Sequence, residues 1–242
     1  MFGFRLNVKY ATGVLLAGLM ASGTVTLQAQ TTHRTRREST ANRKARIARM
    51  IAETYGHRFE VAGGGGYLRF QPGSLKQRNN EVTFHMSTTY FLNPKLGIIA
   101  DVRGAYGNAK IGNTSPSFLP FNPKISEYPF MGGVAYRLYA KEKFAVSVTA
   151  EGGVAIGKFD GDSKGLTSAE LGIWQSRTRP VFSLGANFDY NFYPNLAFRL
   201  TPTYVGTTFR LDPTDTTDGP AGTIQNNFGF NAGFVYRFGK IK

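Results

Sequence analysis

The sequence predicts an all-β chain: an eight-stranded antiparallel up-and-down transmembrane β-barrel with a short N-terminal helical extension. Three observations predict it. Residue polarity changes period from 3.6 to 2 near Arg58 and then alternates through eight segments. The links between those segments are short and long in strict alternation. The apolar face carries more Phe and Tyr than the interior of an eight-stranded barrel can hold, so that face must point outward.

The first strand, near Phe59 to Phe70, has four consecutive glycines, Gly63 to Gly66, which blur its parity and predict a bend or bulge. The second sets Val82, Phe84, Met86, Thr88, Tyr90 and Leu92 against Glu81, Thr83, His85, Ser87 and Thr89. The third sets Leu96, Ile98, Ala100 and Val102 against Gly97, Asp101 and Arg103. In the fourth, Tyr128, Phe130, Val134, Tyr136 and Leu138 oppose Gly133, Ala135 and Arg137. The fifth sets Phe144, Val146, Val148, Val154 and Ile156 against Ser147, Thr149 and Glu151. In the sixth, Phe182, Leu184, Ala186, Phe188, Tyr190 and Phe192 oppose Ser183, Asn187, Asp189 and Asn191. The seventh sets Leu196, Phe198, Leu200 and Tyr204 against Arg199, Thr201 and Thr203. The eighth sets Phe228, Phe230, Phe234, Tyr236 and Phe238 against Gly229, Asn231, Gly233 and Arg237.

Short links fall at Asn93-Pro94-Lys95, Lys141-Glu142-Lys143 and Pro194-Asn195. Long ones run from about Gln71 to Asn80, Gly107 to Ser126, Lys158 to Pro180 and Asp212 to Gln225. A soluble barrel has no physical reason to put all four long links at one end. Barrels of the bacterial outer membrane do so, with short periplasmic turns and long external loops. Closure leaves no unpaired backbone edge in lipid. Tyr90, Tyr136, Tyr139, Tyr190, Phe192, Tyr193 and Phe238 gather near the short turns, as an aromatic girdle does.

Composition is consistent with this. The mean hydropathy of −0.24 does not exclude a membrane barrel, because only every second residue meets lipid. The 29 Gly, 20 Phe and 12 Tyr suit a curved sheet with aromatic belts. The absence of Cys excludes disulfides, thiolate metal sites and Cys nucleophiles. Three histidines, His33, His57 and His85, make a multi-histidine metal site hard to build, and neither cofactor nor metal is expected.

Residues 1–30 have the order of a secretory signal peptide: Arg5 and Lys9, then an uncharged apolar run over Tyr10 to Val25, then TLQAQ with cleavage near Ala29 or Gln30. Residues 31–56 form a basic periplasmic extension. Between Thr31 and Tyr55, seven Arg and Lys stand against Glu38 and Glu53, a net +5 of the chain's +14. Thr31 to Arg37 is polar, Arg-rich and without period, which predicts disorder. Ser39 or Thr40 then caps a helix that stops at Gly56. Ala41, Ala45, Ala48, Ala52 and Tyr55 share one face of it, with Arg43, Arg46 and Arg49 opposite. Such a helix is either a solvated spacer or a basic amphipathic element that lies on anionic lipid or touches an acidic partner. Without an aromatic platform the arm is not a nucleic-acid site. Residues 57–242 are the barrel.

The inward polar set comprises Glu60, Asp101, Arg103, Arg137, Glu151, Asp189, Arg199 and Arg237. Packed together they make a plug of ion pairs; the alternative is a narrow water or ion path gated by exchange of Arg–Glu partners. Apolar residues in two long links, Phe118, Leu119 and Phe121 in one and Leu166, Leu171, Ile173 and Trp174 in the other, either pack over the barrel mouth or mark a contact with an external ligand. The last link, DPTDTTDGPAG, reads as a solvated turn.

From His57 to Phe238 the chain resembles the OmpA/OmpX-like eight-stranded outer-membrane barrels in strand count, loop asymmetry and aromatic strand ends. The closing run FGFNAGFVYRF, Phe228 to Phe238, is similar to the signal that such barrels present to the barrel-assembly machinery, through Phe228, Phe230, Phe234, Tyr236 and Phe238. His85 and Ser87 resemble the His-x-Ser spacing of lipid A deacylases, but their side faces the lumen, away from the outer leaflet. The resemblance implies a monomer embedded in outer-membrane lipid. The expected role is structural or one of surface interaction, adhesion-like and without catalysis. A narrow low-conductance channel is the alternative, ahead of a lipid A-modifying enzyme and a soluble lipid-binding barrel.

Overall fold

The computed structural model describes residues 39–74, 76–110, 122–211 and 224–241. The chain divides into two units, Met1–Arg43 and Lys44–Lys242. Of the first, only the helix start is described: Ser39 Oγ accepts from the Asn42 amide at 3.3 Å and the Ser39 carbonyl accepts from the Arg43 amide, an N-cap of the expected kind. The leader, the Arg-rich stretch before Ser39, the Phe118–Phe121 segment and the whole of DPTDTTDGPAG lie outside the described residues.

Helix α1 spans Thr40–Tyr55. Eight strands follow: β1 Phe59–Phe70, β2 Asn79–Phe91, β3 Leu96–Asn108, β4 Lys124–Ala140, β5 Phe144–Gly161, β6 Thr178–Tyr193, β7 Leu196–Thr207 and β8 Gln225–Phe238. One turn of helix, α2 (Ser168–Leu171), lies in the β5–β6 link. It is held by a capping box between Thr167 and Glu170, whose hydrogen bonds keep the Glu170 carboxyl below its ordinary pKa. Each strand pairs antiparallel with its neighbours in sequence, and β1 pairs with β8 to close the barrel.

The parity read from the sequence sets the two faces. Val82, Met86, Ile98, Leu138, Leu184, Phe228 and Phe234 each expose half or more of their surface on the outside. Every one of the eight inward ionisable residues is buried. Outward aromatic rings meet across strands at the short-turn end, where Phe59 touches both Tyr90 and Phe238 at 5.3 Å between centroids and Tyr190 touches Phe144 at 5.1 Å.

Three expectations need correction. The glycines of β1 make neither bend nor bulge, because its register runs unbroken against β2 and β8. They admit close approach instead: a Cβ on Gly66 would stand 1.9 Å from the Phe230 carbonyl oxygen. The register shifts lie in β4, at Lys124/Ser126 and Arg137/Tyr139, and in β6 at Asn191/Tyr193. The second and third long links are shorter than expected, because β4 begins at Lys124, β5 continues to Gly161 and β6 begins at Thr178, while the fourth is longer, because β7 ends at Thr207. Nor does α1 cover its alanine face. Ala45, Ala48 and Ala52 are exposed, while Ile47, Met50 and Ile51 are half-buried and Thr54 and Tyr55 buried. The larger side chains remove more apolar area from water and so decide the face.

Candidate functional site

The lumen is built in layers. Nearest the short turns, Glu60 on β1 accepts from Arg199 Nη2 and, at 2.9 Å, from Arg237 Nε, with Arg137 Nη2 at 3.6 Å. Asp189 on β6 accepts from Arg199 Nε at 2.6 Å and Arg237 Nη2 at 2.7 Å. Three guanidiniums thus surround two carboxylates. Antiparallel pairing places Glu60 beside Arg237 and Asp189 beside Arg199 on neighbouring strands. Charges buried this deeply persist only when each has partners of this kind.

Tyr55, the last residue of α1, completes this layer from below. Its hydroxyl donates to the Lys141 carbonyl at 2.7 Å and accepts from Asn191 Nδ2 at 2.8 Å. The Arg137 guanidinium lies 4.7 Å from its ring centroid and 4.2 Å from that of Phe91, a stacked sandwich. Burial raises the Tyr55 pKa above its ordinary value of 10.0. The sequence placed Tyr55 on an apolar helix face; its role as the stopper of the barrel had no local signal beyond its position just before Gly56.

In the middle layer Arg103 donates to Asp101 at 3.0 Å, to Glu151 at 3.0 Å and to Ser183 at 3.2 Å. His85 and Ser87 face the same space. Their Cα partners on β3 are Arg103 and Asp101, and His85 Nδ1 has no hydrogen-bond partner. The space between them and Arg199 is about 10 Å³, the lower bound for one water molecule. The eight residues singled out from the sequence therefore fall into two separate networks, five around Glu60 and three around Arg103.

Toward the long links the lining turns from charged to amide and apolar. Gln225 and Asn227 bridge to Thr207 and Phe209. Above them Phe70, Phe159 and Phe209 meet at 5.0 to 6.4 Å between centroids. Leu171, Ile173 and Trp174, from the β5–β6 link, are buried in the same cluster. Trp174 is held from the β1–β2 link, its backbone amide donating to the Pro72 carbonyl and its indole to the Gln71 carbonyl. The apolar residues of this link thus cover the mouth.

Beneath that cover lies a pair that sequence reading missed. Glu81 and Glu127 are almost fully buried, and neither forms an ion pair among the described residues. Glu81 accepts from Asn79 at 3.3 Å, while both oxygens of Glu127 lack a hydrogen-bond donor. Between them on β3 sits Gly107, where a Cβ would come within 2.7 Å of Glu81 Cγ. Strand parity already put Glu81 inside; Glu127 falls between the expected end of the long link, Ser126, and the first named strand residue, Tyr128, and so was assigned to neither face. Among the described residues no three His, Asp or Glu are grouped to hold a metal ion.

A closed barrel with an apolar exterior, an ionic interior and no free strand edge belongs in a bilayer. Residues 17–238 match the outer membrane protein beta-barrel domain family. The chain belongs to that family and is a transmembrane barrel of the outer membrane. No curated protein matches it. Among solved structures it is similar to Neisserial surface protein A, at 13% identity over 74% of this chain and 97% of that one, with a TM-score of 0.51. The outer membrane protein OprG from Pseudomonas aeruginosa shares 14% identity over 76% and 98%, with a TM-score of 0.49. Ail, the attachment invasion locus protein of Yersinia pestis, shares 16% over 75% and 99%, with a TM-score of 0.44. These likenesses concern the fold.

Proposed function

We propose that this protein is a non-conducting barrel with a structural or surface-interaction, adhesion-like role exerted by its long links at the external rim. One observation supports this above the rest: the lumen is filled at both ends, by Tyr55 with the Glu60 network at the short-turn end and by the Phe70–Phe159–Phe209 cluster at the other. The space beside His85 and Arg103 holds about 10 Å³, room for about one water molecule, which supports a lumen that does not conduct. The barrel itself is then a scaffold, and what it offers to an external ligand is its long links. The His85–Ser87 pair, inside the lumen, is remote from any leaflet ester, which favours a role without catalysis.

The same reading includes a cleaved signal peptide over 1–30, a periplasmic extension over 31–56 and a monomeric barrel over 57–242. The barrel-assembly machinery reads the outward aromatics Phe228, Phe230, Phe234, Tyr236 and Phe238. Short turns face the periplasm and long links the exterior, as the family's loop asymmetry dictates.

Planar-bilayer recording tests the central claim. The purified full chain is expected to show no unitary conductance, and Glu151→Gln should leave that silence unchanged. Steady single-channel openings that Glu151→Gln alters would replace this reading with the narrow channel.

A further inference from the structure

Alongside Tyr55, helix α1 does not lie flush against the barrel rim. A groove of about 410 Å³ remains between them. Ile51 and Ala52 of the helix form one wall, Leu138 and Ala140 of β4 the other, and Lys95 of the β3 side stands at its edge. Leu138 is 60% exposed and shares the outward face of Val134 and Tyr136. The groove is therefore continuous with the lipid-facing surface, and it opens onto the bilayer rather than the lumen.

Its surroundings are cationic. Lys95, Lys141 and Lys143 occupy the short turns, and Lys44, Arg46 and Arg49 the helix, against Glu53 and Glu142. Lys44 precedes Ile51 by seven residues, close to two full helical turns, so it extends the same stripe of α1. An apolar slot open to lipid and edged by lysines matches a ligand with an acyl chain and an anionic head. A polysaccharide or peptide carboxylate would match the charge but leave the slot empty.

We propose that this groove binds one anionic phospholipid of the periplasmic leaflet, with an acyl chain against Ile51 and Leu138 and the phosphate at Lys95. The site would fasten the extension to the membrane beside the barrel. It rests on the outer-membrane placement of the chain and is independent of whether the lumen conducts.

Native mass spectrometry of the full chain, extracted in mild detergent and titrated with phosphatidylglycerol or phosphatidylcholine, tests this. One phosphatidylglycerol should be retained in preference to phosphatidylcholine. Lys95→Glu should weaken its retention about tenfold, since reversing one charge near an anionic head is an effect of that order. Ala52→Trp, which fills the slot from an exposed helix position, should weaken both lipids. Lys110→Glu, an exposed position just past β3 at the long-link end, is the control and should bind as the parent does. A boiled-versus-unheated gel establishes that each variant is folded. Equal retention of the two lipids, or unchanged binding in both Lys95→Glu and Ala52→Trp, would overturn the proposal. So would displacement of the lipid by soluble peptidoglycan fragments, which would assign the cationic rim to the cell wall.

Discussion

The lumen treats its carboxylates in two opposite ways. Glu60 sits among three guanidiniums, whereas Glu127 has no donor among the described residues. Removing one charge from a satisfied buried network strands the others, at a cost of about 3–5 kcal/mol. Glu60→Gln should therefore lower stability by that order, read from urea unfolding in lipid vesicles. Glu127→Gln removes a group that lacks partners, so the same assay should show no loss or a gain of about 1–3 kcal/mol. Equal losses in the two variants would mean that Glu127 has a compensating charge. Alternation alone set Glu60, Asp189, Arg199 and Arg237 on the inward face. Which guanidinium meets which carboxylate depends on the stagger of strands far apart in sequence; Glu60 and Arg237 are separated by 177 residues.

At the scale of elements, α1 and the β5–β6 link both act as stoppers. The last turn of α1 docks through the neutral Tyr55 phenol, whose pKa burial raises above 10.0. A raised folded-state pKa means the protonated form is favoured in the docked state. The contribution is thus complete below the free tyrosine pKa and is lost as pH rises through the docked value. Because the chain has no Cys, a fluorophore on Ala48→Cys reports helix motion without background. Its mobility should rise above about pH 10, and a Tyr55→Phe background should remove that alkaline step. An unchanged step in Tyr55→Phe would assign it to another group. The existence and limits of α1 were legible from Ser39 and Gly56. Its buried face was not, because one helix period fits both the alanine stripe and the Ile47–Ile51 stripe until something is packed against it. The strands show the converse. Their parity was legible but their length was not, since β4 and β5 run to 17 and 18 residues, past the ~9–11 that cross a bilayer.

For the molecule as a whole, closure is the feature that stability follows. All eight strands are paired on both sides, so no single strand can leave without breaking two ladders. The full chain in detergent should keep its compact form unheated and shift in gel mobility on boiling. A single band under both conditions would argue against a closed, detergent-resistant barrel. Protease added outside intact cells should cut only in the four long links; cleavage at Asn93–Lys95 or Lys141–Lys143 would invert the orientation.

The sequence by itself determined the number of strands, which side of each meets lipid, the end that carries the long links, and the helix before them. Those are properties of local period and turn chemistry, written within a few residues of each other. Only the tertiary structure decided that the eight inward charges split into two networks, that Tyr55 closes one mouth and Trp174 with its neighbours the other, and that Glu81 and Glu127 are both buried without an ion pair among the described residues. Each of these joins residues from elements distant in the chain, and their meeting depends on barrel stagger and on how a link folds back, for which no local pattern exists.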